Sequence, residues 1–260
     1  MDIVVLLKQV PATESLVSVA EDGVSIKTDD LKWVINPYDE FAVEEALRIK
    51  EAQGGSVTIL SIGTEKAVEA IRTALAMGAD TGVLINDAAA MEGDALGTAK
   101  ILAAALKGMS YDLIIAGQRA VDGDNYQVGT AVAEYLDIPN ISLVIKAEVA
   151  DGAIRCQRTI EGGTVVLEAP LPALFTTQRG LNEPRYASLP GIMKAKKKPL
   201  ETKTLADIGI QPEDLEGPGT RIVRMNPPPE RTGGKIIEGE TPQEKAAKLV
   251  AALRDEAKVI

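Results

Sequence analysis

The segment DLIIAGQRAVDGDNYQVGT, residues 112–130, passes from a continuous apolar run through a polar turn into a helical pattern. A continuous apolar run is typical of a strand that is buried on both faces of a parallel sheet. The turn at 122–124 predicts a helix N-terminus with free backbone N–H groups directly after it. Ligands of doubly wound sheets lie at the carboxyl ends of strands where the strand order reverses. We therefore expect this segment to supply a central strand and a ligand-binding loop.

The first 140 residues repeat this alternation of strand and helix. Strands are predicted at 3–8, 56–62, 81–86 and 112–117, and helices at 38–53, 65–77, 94–107 and after Asp124. Short β-branched runs that alternate with helices are typical of a parallel sheet covered on both faces. The predicted fold class is therefore α/β, with a doubly wound, mostly parallel sheet.

The pattern changes in the second half of the chain. From about Ile141 the hydrophobic period is two, and the turns ADG (150–152) and EGG (161–163) predict an antiparallel extension. After Pro199 the chain is rich in Pro, Gly, Lys and Glu, and it ends in a helix predicted at 241–256 with Thr241 as N-cap. A tail so poor in apolar residues cannot form its own core. We predict one domain over 1–200 and an extended, partner-wrapping arm over 201–260.

The composition argues against several functions. The net charge of -10 and the pI near 4.8 disfavour binding to nucleic acid or to anionic membranes. Without histidine the chain cannot carry a Ser-His-Asp or Cys-His catalytic site. The single cysteine, Cys156, lies in a strand-like run, which predicts a buried side chain and fits a reducing cytoplasm. The apolar runs are strand-sized, so no membrane insertion is expected.

Three strand ends are candidates for a ligand site: KQVPATES, SIGTEK and AGQRAVDGDNYQVGT. The third is the best candidate, because its backbone amides could hold a phosphate and Gly129 would permit a close approach. Asp122 and Asp124 would repel that phosphate, so binding would depend on the amides and on side chains of Asn125, Gln127 and Thr130. The alternative is that Asp124 or Asn125 is only the N-cap of an ordinary helix. Neither G-x-G-x-x-G nor a Walker motif is present.

The segment NPYDEFAVEEALRIKE, residues 36–51, is a second candidate. Asn36 followed by Pro37 predicts an N-cap with proline at the first helical position. Two interpretations remain open here. The segment is either a well-capped surface helix or a helix start that presents the Asn36 amide to a ligand.

The segment LNEPRYASLPGIMKAKKKP, residues 181–199, is apolar, rich in proline and basic within an acidic chain. From its pattern alone it is either a helix with a solvated basic end or a docking surface. Apolar anchors with a polar rim are how protein interfaces obtain affinity, and lysines add local positive potential that can steer an acidic partner.

Several stretches together resemble the β (small) subunit of electron transfer flavoproteins. They are NPYDEFAVEEALRIKE (36–51), IRTALAMGAD (71–80), AGQRAVDGDNYQVG (116–129), RTIEGG (158–163), LPALFTTQRGLNEPRYASLPGIMKAKKK (171–198) and PPPERTGGK (227–235). The similarity runs from the first strand almost to the C-terminus. It implies an adenine-nucleotide-binding α/β fold and an electron carrier without independent catalysis.

The resemblance also implies ligands, partners and site residues. In that family the β subunit holds AMP, pairs with an α subunit that binds most of the FAD, and docks acyl-CoA-type dehydrogenases; a quinone oxidoreductase acts downstream. Carried over by position, the nucleotide contacts are Leu6, Asn36, Pro37, Tyr38, Asp39, Ile62, Gly117, Gln118, Asp122, Gly123, Asp124, Asn125, Tyr126, Gln127 and Val128. The docking loop is 177–199, with Tyr186, Leu189, Pro190, Ile192, Met193, Lys194, Lys196 and Lys197 as contacts and Leu189 as the inserted side chain.

One departure leaves the nucleotide open between two candidates. Electron-bifurcating members, which hold a second FAD in this site and oxidise NADH, tend toward DGDTAQVGP. This chain has DGDNYQVGT, which shares Gly123 and Val128 with them but differs at Asn125, Tyr126 and Thr130. We expect AMP, because the bulky tyrosine stands where the rest of a flavin would pass. A third interpretation, a stand-alone adenine-nucleotide sensor, is disfavoured by the apolar-poor arm.

Overall fold

The computed structural model describes residues 1–211, 213, 215, 219–229 and 233–260. Its strands are β1 (Asp2–Leu6), β2 (Gln9–Pro11), β3 (Trp33–Ile35), β4 (Ser56–Ile62), β5 (Thr81–Ile85), β6 (Leu113–Gly117), β7 (Asn140–Ala150), β8 (Ala153–Ile160), β9 (Gly163–Pro170), β10 (Ala173–Thr177) and β11 (Leu200–Lys203). Its α-helices are α1 (Pro37–Gln53), α2 (Ala67–Met77), α3 (Ala95–Lys107), α4 (Val128–Leu136), α5 (Leu189–Ala195) and α6 (Pro242–Ala251).

Nine of these strands form one sheet in the order β11-β5-β4-β1-β6-β10-β7-β8-β9. The sheet is parallel from β11 to β7 and antiparallel from β7 to β9. From β1 the chain moves outward through α1 to β4 on one side, and it returns later through α3 to β6 on the other side. The strand order therefore reverses at β1 and β6. This topology confirms the predicted doubly wound, mostly parallel α/β class with an antiparallel extension.

The continuous apolar strands are buried on both faces of this sheet. In β1, Ile3 and Val5 pack into the core on the side of α1 and α2, whereas Val4 and Leu6 pack into the core on the side of α3 and α4. Successive side chains of a strand point to opposite faces, so a strand between two helix layers needs apolar residues at every position. This is why the sequence shows runs rather than alternation in the first half.

The second half differs from the prediction at β10. The turns at Asp151 and Gly152, and at Gly162, lie in left-handed conformations and connect the antiparallel strands β7, β8 and β9 as expected. The following strand, β10, is instead parallel and lies between β6 and β7. All five of its residues are buried. Burial on both faces, which its short apolar sequence allows, places it in the interior of the sheet.

The predicted arm begins later than position 201. Strand β11 pairs in parallel with β5 at the sheet edge, and the side chains of Leu205 and Ile210 are buried in the core on the α3 and α4 side. Beyond them, α6 has the predicted cap, with Thr241 accepting a hydrogen bond from the Glu244 N–H at 3.1 Å. Positions 212, 214, 216–218 and 230–232 of the predicted arm, which include part of PPPERTGGK, lie outside the described residues. In the described ranges, no helix has the length and apolar character that a membrane crossing requires.

Candidate functional site

A cavity of about 310 Å³ lies at the carboxyl ends of β1 and β6, where the strand order reverses. Twelve of the fifteen predicted contact residues line it: Leu6, Asn36, Asp39, Ile62, Gly117, Gln118, Gly123, Asp124, Asn125, Tyr126, Gln127 and Val128. Pro37, Tyr38 and Asp122 are outside its lining. The structure therefore brings together three chain segments that the topology rule had selected.

One wall of this cavity was missed by the sequence analysis. It is formed by the N-terminal end of α3 and the turn before it, through Ala90, Met91, Gly93, Asp94, Ala95 and Thr98. Asp94 caps α3 by accepting hydrogen bonds from the N–H groups of Leu96 and Gly97. The cap was visible as a pattern, but its position beside β1 and β6 depends on the sheet order. Lys8 and Arg119 also line the cavity; both lie in segments predicted as candidate ligand sites, although neither is among the fifteen residues named as contacts.

Asp39 joins the strands that end at the cavity. Its carboxylate accepts hydrogen bonds from the backbone N–H of Lys8 at 2.7 Å and of Gly117 at 3.1 Å. An added Cβ at Gly117 would lie 2.2 Å from Asp39 Oδ1, so this glycine is required for the contact. Burial raises the pKa of Asp39 to about 7, although the N–H donors favour its charged form. Asp39 therefore holds the ends of β1 and β6 in register with α1.

Asn36 is at the N-cap position of α1, and Pro37 is the first helical residue as predicted, but the Asn36 side chain does not cap the helix. Its amide group donates to Asp39 Oδ1 at 2.9 Å and to the Arg119 carbonyl at 2.8 Å. Its oxygen accepts from the Val121 N–H at 3.1 Å. With 1% exposure, Asn36 fixes the loop between β6 and α4, and its amide is committed to protein groups.

The loop between β6 and α4, residues 118–127, is held open by its own conformation. Asp124 and Tyr126 have φ angles of 54° and 58°, in the left-handed region that non-glycine residues rarely occupy. Such residues cannot begin a helix, so α4 starts only at Val128, with Gln127 at the N-cap position. The prediction that Asp124 or Asn125 caps the helix is therefore wrong. The loop instead exposes the first turn of α4 to the cavity.

Gly129 lines the cavity and also packs closely against the sheet. An added Cβ would lie 2.9 Å from the side chain of Thr176 and 3.4 Å from that of Ala116. Helix α4 therefore rests directly on β6 and β10. This close contact aims its N-terminus at the cavity.

The cavity has apolar walls and a small number of polar groups. Leu6, Leu60 and Ile62 supply apolar surface from β1 and β4. Gln118 is 7% exposed, donates to Gln178 Oε1 at 2.8 Å, and leaves its own Oε1 buried without a hydrogen-bond partner in the described part of the chain. Within the described residues, no group of three or more His, Cys, Asp or Glu side chains could hold a metal ion. The arrangement is suited to holding a molecule with a flat apolar part and an anionic end.

The predicted docking residues are all exposed. Tyr186, Leu189 and Met193 are 97%, 80% and 65% exposed, and Ile192 is 43% exposed. Pro190, Lys194, Lys196 and Lys197 are exposed beside them. They lie on or next to the short helix α5, whose cap is Ser188. The docking loop thus presents an apolar surface next to a basic one.

This docking loop is anchored to the domain at both ends. At its start, the Arg185 side chain donates to Glu44, with Nε 2.8 Å from Oε2, and also to Glu51. At its end, the Arg72 side chain donates to the carbonyls of Ala195 and Lys198 at 2.6 and 2.7 Å. Glu44 is 3% exposed, and its pKa is lowered by hydrogen bonds from Arg185 and Arg48 against the opposing effect of burial. These hydrogen bonds therefore fix both ends of the segment that carries the exposed side chains.

Cys156 lies in β8 with no exposed surface, as predicted. Burial raises the pKa of its thiol to about 12. A thiol that stays protonated near neutral pH is a poor nucleophile. Cys156 therefore contributes to the core and offers no reactive group.

Comparison with known proteins identifies one family. The family model described as "Electron transfer flavoprotein domain" matches residues 24–208. The chain is 45% identical to the protein named electron transfer flavoprotein subunit beta of Bacillus subtilis (strain 168), over 100% of both chains. It is 38% identical to the protein of that name from Thermoanaerobacterium thermosaccharolyticum, over 92% of this chain and 93% of the relative. A protein of Acetobacterium woodii named caffeyl-CoA reductase-Etf complex subunit CarD is 37% identical over 98% of each chain. The chain therefore belongs to the electron transfer flavoprotein family, among its β subunits.

Proposed function

We propose that this chain pairs with an α subunit, holds AMP in the cavity between β1 and β6, and docks acyl-CoA-type dehydrogenases through the docking loop. Electrons would pass to an FAD held mainly by the α subunit and then to a quinone oxidoreductase. The chain itself carries out no independent catalysis. The observation that carries the nucleotide assignment is the cavity at the strand reversal, bounded by the first turn of α4.

The cavity suits AMP in size and chemistry. Its volume of about 310 Å³ is at the lower end of the range of about 300–1,000 Å³ typical of small-molecule sites. The apolar side chains of β1 and β4 would hold the adenine ring. The backbone N–H groups of the first turn of α4 would hold the phosphate, because a helix N-terminus carries partial positive charge. The Arg119 guanidinium lies 5.1 Å from the ring centre of Tyr126. In this proposal the tyrosine ring occupies the space that the rest of a larger nucleotide would need.

Nucleotide analysis of the purified heterodimer tests this assignment. The complex is denatured, and the released nucleotides are separated by chromatography and counted per heterodimer. Equal amounts of AMP and FAD are expected. Two FAD and no AMP would contradict the assignment and favour a second candidate, a bifurcating subunit that oxidises NADH. The similarity to the subunit of the caffeyl-CoA reductase-Etf complex is the reason for keeping this second candidate.

The docking proposal rests on the exposed apolar surface of α5. Leu189 is 80% exposed although large apolar side chains gain free energy from burial, and it lies beside three exposed lysines. We expect Leu189→Ala to weaken docking of the dehydrogenase by about 2 kcal/mol, or about 30-fold in half-saturation. Dehydrogenase-dependent reduction is measured against carrier concentration. Leu16→Ala is the matched control, since Leu16 is 95% exposed and lies outside the docking loop. Equal half-saturation for both variants and the wild type would contradict the docking role.

The arm is the part of this chain that we assign to the α subunit. Ile222, Val223 and Ile236 are 55%, 78% and 86% exposed, and α6 exposes Leu249 and Val250. Apolar side chains spread along an extended segment would be covered if the segment wrapped around another subunit. The names of the relatives as subunits support such a partner.

A further inference from the structure

Two carboxylates of the loop between β6 and α4 stand in the way of phosphate binding at the cavity. Asp124 lines the cavity, and Asp122 is two residues away in the same turn. An unpaired negative charge there would oppose the partial positive charge of the α4 N-terminus. An anion can therefore bind here only if the negative charges of Asp122 and Asp124 are neutralised.

Each of these carboxylates is paired with its own cation. Lys8 Nζ lies 2.8 Å from Asp122 Oδ2, and the Arg119 guanidinium forms a close ion pair with Asp124 Oδ1. The two cations come from different segments, one after β1 and one after β6. Both Lys8 and Arg119 line the cavity, so their charges face the same space as the helix N-terminus.

Arg119 is held in place more firmly than an ordinary surface arginine. Its guanidinium lies 5.0 Å from the ring centre of Tyr38 and 5.1 Å from that of Tyr126, and it donates to the Tyr38 hydroxyl at 3.0 Å. Contacts with two aromatic rings stabilise the cation and restrict its orientation. Tyr38, which does not line the cavity, therefore acts on it through Arg119.

Stability alone does not account for these pairs. The more exposed partners, Lys8 and Asp124, are 52% and 54% exposed, and the other two, Asp122 and Arg119, are 31% and 25% exposed. Ion pairs with such solvent access contribute little to folding. Gln118, which lines the cavity, has an Oε1 that is buried without a partner in the described part of the chain. An amide oxygen accepts hydrogen bonds, so this atom is suited to a hydroxyl or amine of a nucleotide and not to its phosphate. The two ion pairs are therefore better explained by a contribution to ligand binding in the cavity.

We propose that Lys8 and Arg119 are positioning residues that neutralise Asp122 and Asp124 and so allow the cavity to hold the phosphate of an adenine nucleotide. The inference rests on the proposed function and adds the residues that set the charge of the site. The inference places Lys8 and Arg119 at the anionic end of the ligand and not at its adenine ring. The same two cations would serve a monophosphate or the phosphates of a dinucleotide.

The experiment measures how fast bound adenine nucleotide leaves the purified heterodimer. Timed gel filtration at low salt is followed by chromatographic analysis of the AMP, or FAD, that remains. We expect Lys8→Gln and Arg119→Gln to release nucleotide at least about tenfold faster than the wild type. The charge-restoring pairs Lys8→Gln with Asp122→Asn, and Arg119→Gln with Asp124→Asn, should return release toward the wild-type rate.

The paired variants separate charge from geometry. Asparagine keeps the Oδ1 atom that accepts from the Gly123 N–H in place of Asp122, and it tolerates the left-handed conformation of Asp124. Double variants that release nucleotide as fast as the single ones would overturn the inference, because the loss would then be geometric. Unchanged release in the single variants would overturn it as well. A wild-type heterodimer without any nucleotide at this cavity would contradict the proposed function itself.

Discussion

Asp39 is a buried side chain that connects three segments of the candidate site. Its two oxygens accept hydrogen bonds from Lys8, which lies two residues after β1, from Gly117 at the end of β6 and from Asn36. These contacts fix the ends of β1 and β6 beside the start of α1 at the strand reversal. The cost is a buried carboxylate, and burial raises its pKa to about 7.

This raised pKa predicts a pH-dependent stability. An unfolded aspartate has a pKa of about 3.9, so the folded chain binds the Asp39 proton more tightly than the unfolded chain does. Stability should therefore fall as the pH rises from about 4 to about 7, by up to about 4 kcal/mol from this residue, and change little from it above that range.

Asp39→Asn should flatten this dependence between pH 5 and pH 7. It should also lower stability at pH 5, because its NH2 group, unlike the OH oxygen of the protonated carboxyl, cannot accept from the N–H groups that face this side chain. Thermal unfolding of the heterodimer across this range measures the difference from the wild type. Ser61→Ala is the control, since Ser61 is buried and neutral and should shift stability equally at every pH. Parallel curves for the wild type and Asp39→Asn would show that Asp39 does not titrate in this range.

At the scale of elements, α5 is too short to be stable by itself. It has seven residues, whereas isolated helices need about 12–15 residues even for marginal stability. It is held by side chains of α1 and α2, and Gly191 approaches α2 so closely that an added Cβ would lie 2.4 Å from the Ala76 carbonyl oxygen. The proposed docking surface therefore depends on these contacts with α1 and α2 as well as on its own residues.

Arg185→Met should weaken the attachment of the docking loop to α1 without removing any exposed apolar side chain. Loss of its charged hydrogen bonds to Glu44 and Glu51 should cost about 1–2 kcal/mol of local stability, since the arginine is partly exposed. Hydrogen exchange of 181–199 should become faster, and half-saturation for the dehydrogenase should rise. Arg155→Met, an exposed arginine on β8, is the control. Unchanged exchange in the Arg185 variant would mean that Arg72 and Lys198 suffice to hold the loop.

The elements that were predicted well are those whose signals are local. Helix α1 begins at Pro37 and α3 directly after its Asp94 cap, because prolines and caps act within a few residues. The start of α4 was missed, since the left-handed conformations of Asp124 and Tyr126 leave no reliable mark in the sequence. The parallel placement of β10 was missed for a different reason. It depends on contacts with β6 and β7, which lie far away along the chain.

For the whole molecule, the carboxyl ends of β1 and β6 could be predicted as the site because the alternation of elements implies a strand reversal. The third wall from α3 and the pairing of the two cations with Asp122 and Asp124 could not be predicted, since sheet order and ion pairing are decided by packing. For the docking loop and the arm, an unusual amino-acid composition was the only local signal of their role. Their assignment came from the resemblance to electron transfer flavoprotein β subunits.

Expressed without a partner, the chain should carry no stoichiometric flavin. Among the described residues that line the cavity, Tyr126 is the single aromatic one, and its ring already lies against the Arg119 guanidinium. The absorption spectrum of the isolated chain provides the measurement, with the heterodimer as reference. A yellow isolated chain with one flavin per molecule would contradict the AMP assignment and favour the bifurcating alternative.

Deletion of 221–260 tests whether the arm belongs to this domain or to its partner. In the described residues of that range none is buried, and one hydrogen bond, from the Met225 N–H to the Gly23 carbonyl at 2.7 Å, joins it to the first half of the chain. Losing one hydrogen bond of about 1 kcal/mol should lower the Tm of the isolated chain by only about 2–4 °C. Assembly with the α subunit should be impaired far more, because the deletion removes the exposed apolar side chains that we expect to contact that subunit. Co-expression with a tagged α subunit measures assembly, and a chain shortened only by residues 257–260 is the control. A Tm that falls by more than about 10 °C would instead assign the arm to the core of this chain, and full recovery of the shortened chain with the α subunit would show that the partner binds elsewhere.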